Sequence, residues 1–188
     1  MARKAAFLDR DGTLNDECGL PYVYRVEDLH WISGAREAVR KLNNTDFLVV
    51  VVTNQAGIAR GIYTGEDVEA LHDAVQVDLE RMGARVDAFY ISPYHTKGIV
   101  PEFAVWHEDR KPGTGLFDRA ILEHDIDPTQ SFMVGDKASD LIPAKTLGMK
   151  TALVLTGHGE DHRETPYADI VVADIAAAAA WIVEQDDD

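Results

Sequence analysis

Ala5-Ala6-Phe7-Leu8-Asp9-Arg10-Asp11-Gly12-Thr13 joins an unbroken apolar run to a cluster of polar groups and a glycine. Apolarity without alternation marks a strand covered on both faces, as in a parallel sheet. Runs of the same kind recur at Phe47 to Val52, Ala88 to Ile91, Ser131 to Val134, Thr151 to Leu155 and Ile170 to Val172. Their lengths suit strands. The valines of Leu48-Val49-Val50-Val51-Val52 favour strand over helix, because β-branched side chains fit a pleated surface.

Helical patterns lie between these runs. From Thr64 to Met82 the residues Val68, Leu71, Val75, Leu79 and Met82 recur at the helical period, with Thr64 as N-cap and Gly83 as stop. Further helices are expected from about Gly113 to His124, from Ala138 to Leu147, and through Ala176–Ala180 to Val183. Strands alternating with helices imply an α/β fold, a doubly wound and mostly parallel sheet with right-handed crossovers. The chain reads as a single domain over residues 1–183 followed by an acidic tail, 184–188. Two long stretches remain irregular, Arg10 to Ser33 and Pro93 to Pro112; loops of that length in a compact domain are usually functional.

The 188 residues are 46% hydrophobic, enough to bury a core, and carry a net charge of −15. That charge argues against a nucleic-acid or anionic-membrane surface, since both need clustered basic residues. A lone cysteine, Cys18, excludes an internal disulfide and suits a reducing compartment. Charges at Arg3, Lys4 and Asp9 interrupt the first residues too early for a signal peptide, and no apolar run approaches the ~18 residues of a membrane span. A cytoplasmic protein, monomeric and without nucleic-acid or membrane partners, is expected.

In an open α/β sheet the ligand crevice lies beyond the carboxyl ends of the strands. The first run ends in Asp9-Arg10-Asp11-Gly12-Thr13, the second in Thr53-Asn54-Gln55 and the fourth in Gly135-Asp136-Lys137. Two carboxylates two residues apart at a turn can take different roles, one as nucleophile and the other as general acid and base. Attack by an anion on an anionic phosphate calls for a divalent cation, and Asp136 can join Asp9 and the Asp11 carbonyl around Mg²⁺, a hard ion that prefers oxygen. Asp136 also suits the N-cap of the following helix, while Asp140 is either a support behind the site or a surface charge. Thr53 and Asn54 can hold phosphate oxygens, Lys111 can neutralise the phosphoryl group, and Arg110 offers a fork for a second anionic group. Arg10, Arg60, Arg110, Lys111 and Lys137 concentrate positive charge near the expected crevice of an otherwise acidic chain.

These segments, with Arg110-Lys111-Pro112 between the second and the last, resemble the four ordered motifs of the haloacid dehalogenase (HAD) superfamily of phosphatases. The nearest likeness is to its branch acting on heptose bisphosphates and histidinol phosphate, carried also by Thr53-Asn54-Gln55-Ala56-Gly57-Ile58-Ala59-Arg60-Gly61. The resemblance implies a Rossmann-like, capless core and an aspartyl-phosphate formed on Asp9. It further implies Asp11 as acid and base, Thr53 and Lys111 stabilising the phosphoryl group, and Mg²⁺ on Asp9, the Asp11 carbonyl and Asp136. Substrate contacts would come from Arg10, Glu17, Cys18, Gly19, Tyr22, Asn54, Gln55, Ala56, Arg110 and Lys137. The implied reaction removes the C7 phosphate of a heptose 1,7-bisphosphate on the route to activated heptose; histidinol phosphate or another small sugar phosphate is the alternative substrate.

One departure stands out. Relatives of this branch commonly carry a zinc loop of Cys-x-His followed by Cys-x-Cys, and here the four positions read Ser92, Tyr94, His107 and Asp109. Zinc is not expected, because serine and neutral tyrosine are poor ligands and no cysteine is available. Proline stiffness at Pro93, Pro101 and Pro112 and packing of Phe103 and Trp106 are expected to hold the loop instead. A receiver-like signalling module, also acidic and doubly wound, would place its acceptor aspartate at the end of the third strand, where this chain has Ser92.

Overall fold

The computed structural model describes residues 2–186. Its elements follow in the order β1 (Lys4–Leu8), β2 (Asn15–Asp16), β3 (His30–Trp31), α1 (Ala35–Asn43), β4 (Phe47–Asn54), α2 (Ala56–Ala59), α3 (Gly65–Glu80), β5 (Ala88–Ser92), α4 (Gly115–His124), β6 (Phe132–Gly135), α5 (Ala138–Thr146), β7 (Lys150–Val154), β8 (Ile170–Val172) and α6 (Ile175–Asp186). Six strands form one sheet in the order β5-β4-β1-β6-β7-β8, and every neighbouring pair is parallel.

The apolar runs are covered on both faces. Alternate residues Ala6, Leu8, Val49 and Val51 join residues of α1, α3 and α6 on one side. Ala5, Phe7, Val50 and Val52 pack with residues of α4 and α5 on the other. Phe7 lies against Phe117, ring centroids 5.2 Å apart, so truncating it to alanine would remove about 3–5 kcal/mol of stability. The core lies in two layers, and the strand ends carry the site.

Winding reverses at β1: the chain goes out to β4 and β5 on one side and later to β6, β7 and β8 on the other. Such a reversal opens a crevice at the carboxyl end of the strand where it occurs. Leu8 pairs with Val51 of β4 and with Val134 of β6, so the chain leaves β1 at Asp9 between two neighbouring strand ends.

Several expectations shift. The helix α1 was not anticipated, because only Val39 and Leu42 are large apolar residues in its nine. It packs against α6 and β4, with Ala35, Ala38, Val39 and Leu42 in the shared core. The stretch read as irregular from Arg10 to Ser33 contains the antiparallel ribbon β2–β3, where Asn15 pairs with Trp31. The last helix continues to Asp186 and takes in Glu184 and Gln185 from the stretch read as an acidic tail; residues 187–188 lie outside the described residues. No described helix is long and apolar enough to cross a membrane.

Candidate active site

Asp9, Thr53, Lys111, Lys137 and Asp140 line one open crevice of about 460 Å³, together with Asp11, Glu17, Tyr22, Asn54, Gln55, Ala56, Arg60, His95 and Arg110. The sheet brings four separate sequence segments to this place, and residues about 100 positions apart touch. Lys111 Nζ donates to Asp9 Oδ1 and to the Val52 carbonyl, each at 2.8 Å, and lies 2.8 Å from Asp140 Oδ1. All three charged side chains are buried. Burial works against the Lys111 charge, yet Asp140 and Asp9 outweigh it and hold the ammonium above its ordinary pKa. Burial likewise pushes Asp9 up to about 6, against the pull of Lys111.

Asp136, fully buried, accepts a hydrogen bond from the His158 backbone N–H on Oδ2 at 2.8 Å, while its Oδ1 has no partner. Gly12 and Gly157 close over this carboxylate: a Cβ on either would come within 2.4 Å of Asp136 Oδ2. An orphaned buried carboxylate oxygen is costly unless something positive meets it. Asp9, Asp136 and Asp140 offer carboxylate oxygens within 4.8 Å of one another, an all-oxygen donor set that fits a hard divalent cation. Both Asp140 oxygens are already engaged, by Lys111 and by the Lys137 N–H, so Asp9 and Asp136 are the better ligands. The expectation that Asp136 caps α5 is corrected: Asp140 takes the Lys137 N–H at 3.0 Å, and Asp136 points into the site. That leaves Asp140 as a buried support of Lys111, not a surface charge.

Asp11 is held from three sides. Arg10 Nη2 reaches both its oxygens at 3.0 Å, Asn15 Nδ2 donates to Oδ1 and Gln55 Nε2 to Oδ2 at the same distance. Gln55 also donates to Thr53 Oγ1 at 2.8 Å and accepts from the Tyr63 hydroxyl. Burial raises the Tyr63 phenol well above its ordinary pKa and keeps it a donor. Arg10 does not face the crevice as expected; its side chain is buried and grips Asp11. Asn54 also differs, since its amide donates to the Lys111 carbonyl and accepts from the Lys111 N–H, each at 3.0 Å. It clamps the lysine backbone. These two roles were illegible beforehand because both depend on partners that only folding supplies.

Arg110 and Arg60 line the same crevice, and burial and Arg60 together lower the Arg110 pKa. Burial and both guanidiniums depress His95 too. Arg110 Nη1 donates to the Tyr94 carbonyl at 3.2 Å. Two cations lining one crevice favour an anion there. Glu17 lines the crevice and meets His158 Nε2 at 3.3 Å, whereas Cys18 is exposed and Gly19 faces an adjoining depression. Lys137 Nζ sits 3.4 Å from Asp136 Oδ2. Sequence reasoning placed Arg60 near the crevice but gave it no role, and it missed His95 as a lining residue.

The four zinc-loop positions carry other contacts. Tyr94 stacks on His107 with centroids 3.9 Å apart at 11°, Asp109 pairs with Arg119 at 3.3 Å, and Ser92 is buried. This donor set does not fit zinc. Phe103 packs beside Tyr94, but Trp106, expected to pack, is 79% exposed.

The HAD-hydrolase-like family model matches residues 109–178. A D-glycero-D-manno-heptose-1,7-bisphosphate 7-phosphatase of Thermosynechococcus vestitus is 42% identical, covering 97% of this chain and 96% of its own. A D-glycero-beta-D-manno-heptose-1,7-bisphosphate 7-phosphatase of Haemophilus ducreyi is 39% identical over 97% of this chain and 100% of its own. Among solved structures, the D,D-heptose 1,7-bisphosphate phosphatase of B. bronchiseptica complexed with magnesium and phosphate superposes with a TM-score of 0.87 at 30% identity, covering 97% of this chain and 99% of that one.

Proposed function

The chain belongs to the HAD-like family of heptose-1,7-bisphosphate 7-phosphatases, and from that premise we propose that it removes the C7 phosphate of a D-glycero-D-manno-heptose 1,7-bisphosphate. It is a phosphoric monoester hydrolase. The observation that carries the substrate reading is a single crevice lined both by a buried carboxylate, Asp9, and by the Arg60–Arg110 pair. A bisphosphate has an anion for each.

Asp9 attacks phosphorus, forming an acyl phosphate as the bond to the C7 oxygen breaks; Asp11 gives that oxygen its proton. Asp11 then takes a proton from water, which attacks phosphorus and releases Asp9. Lys111, fixed by Asp140 and the Asn54 clamp, faces the charge that builds on the phosphoryl group. Thr53 lies beside it. Asp9 and Asp136, with the Asp11 carbonyl, would hold Mg²⁺, which would supply charge neutralisation there. Arg110, Arg60 and Lys137 bind the substrate, with Glu17, Tyr22 and Ala56 shaping the wall. A monomer acting in the cytoplasm on this sugar, without nucleic-acid or membrane partners, agrees with the acidic surface and the lone cysteine.

A turnover panel tests the reading. Heptose 1,7-bisphosphate, as both anomers, is expected to be hydrolysed with the highest kcat/KM, against heptose 7-phosphate and histidinol phosphate. Preference for histidinol phosphate would overturn it.

A further inference from the structure

His72 lies on α3, outside the crevice, and nothing in the chemistry above uses it. It is buried, and its ring stacks on Phe89 with centroids 4.3 Å apart at 17°. Its Nε2 sits 3.2 Å from Nη1 of Arg10. A guanidinium has donors and no acceptor, so at this contact the imidazole must accept, which requires neutral His72 with its proton on Nδ1. Burial first, and Arg10 second, depress its pKa to about 3 and keep it neutral.

The Arg10 guanidinium is enclosed and must satisfy its donors internally. Nε and Nη2 go to Asp11, Nη2 also to the Val23 carbonyl at 2.6 Å, and Nη1 to His72. Two fixed points, one on α3 and one on the loop after β2, therefore set the plane of the guanidinium. That plane sets the carboxylate of Asp11, which it grips through both oxygens.

We propose that His72 is a positioning residue for the general acid and base: through Arg10 it holds the Asp11 carboxylate at the angle the leaving oxygen needs. The proposal rests on the phosphatase reading. It predicts a defect in the chemical step and none in substrate binding, because His72 is not among the residues that line the crevice.

Two variants separate position from packing. His72→Phe keeps a ring against Phe89 and removes the acceptor; His72→Gln places an amide oxygen near the lost Nε2. With Mg²⁺-loaded enzyme and heptose 1,7-bisphosphate, His72→Phe is expected to lose kcat by roughly ten-fold or more with KM unchanged, the scale of a misplaced catalytic group. His72→Gln is expected to recover most of it. Unchanged kcat in folded His72→Phe, a defect confined to KM, or a Gln variant as impaired as Phe would each overturn the proposal. Nitrogen-15 NMR of the unaltered protein reads the same contact whether or not the variants fold: the Nδ1–H tautomer is expected, and an Nε2–H tautomer would refute it. Absence of wild-type turnover would instead be a failure of the phosphatase reading.

Discussion

Two groups of residues in the crevice are built on opposite plans. In the chemical group Asp9, Lys111, Asp136 and Asp140 are buried, and Lys111 alone is held by two carboxylates and a carbonyl. In the recognition group Arg60 disfavours the Arg110 charge, and loop contacts such as Arg110 to the Tyr94 carbonyl hold the pair. Groups that must meet a transition state at fixed distance need immobile partners, and burial provides them. A second anionic group would need only charge within reach, so cations that bind it need no such burial.

Removing the nucleophile breaks the first plan outright. Asp9→Asn is expected to lower turnover by on the order of 10⁴-fold or more, the scale of losing a covalent nucleophile, with circular dichroism unchanged. Residual activity near normal in that folded variant would end the mechanism. Lys111→Met leaves Asp9 and Asp140 facing each other unscreened. It should lose about 10²–10³-fold in kcat and about 3–5 kcal/mol in urea unfolding, because a buried pair has been broken from one side.

Arg110→Ala tests the other plan. We expect KM for the bisphosphate to rise roughly 10–100-fold, the equivalent of one charged hydrogen bond, while kcat and turnover of a monophosphate stay nearly level. A large loss of kcat would mean that the two groups are not separable.

Stability against pH gives a smaller effect with a definite sign. His72 has its pKa lowered from 6.5 to about 3 in the folded protein, through burial and Arg10. Unfolded chains therefore bind more protons, and stability falls as pH drops below 6.5 toward 3. Between pH 7 and pH 5 the loss from this group is about 2 kcal/mol, and it should vanish from urea titrations of His72→Phe. Smallest of all, Tyr94→Ala removes the stack on His107 and should cost about 0.5–1.5 kcal/mol by thermal melting. Treatment with a zinc chelator should leave that melt unmoved.

Much of this was legible in the residues. Unbroken apolar runs at Ala5 to Leu8 and Phe47 to Val52 announced buried parallel strands, and the polar groups closing them marked the crevice. Thr64 caps its helix as the sequence suggested, and Asp67 completes a capping box with it. What failed did so for more than one reason. Helix α1 does carry its buried residues Ala35, Ala38, Val39 and Leu42 at helical spacing, but two of the four are small alanines, which weakens the signal.

The strands and the polar groups that close them were written in local pattern, because strand burial and turn chemistry act over a few residues; the order of strands in the sheet was not. The duties of Arg10, Asn54, Asp140 and His72 were settled only when distant segments met. A side chain's hydrogen-bond partner depends on what the fold sets within about 3 Å of it, and no local pattern encodes that.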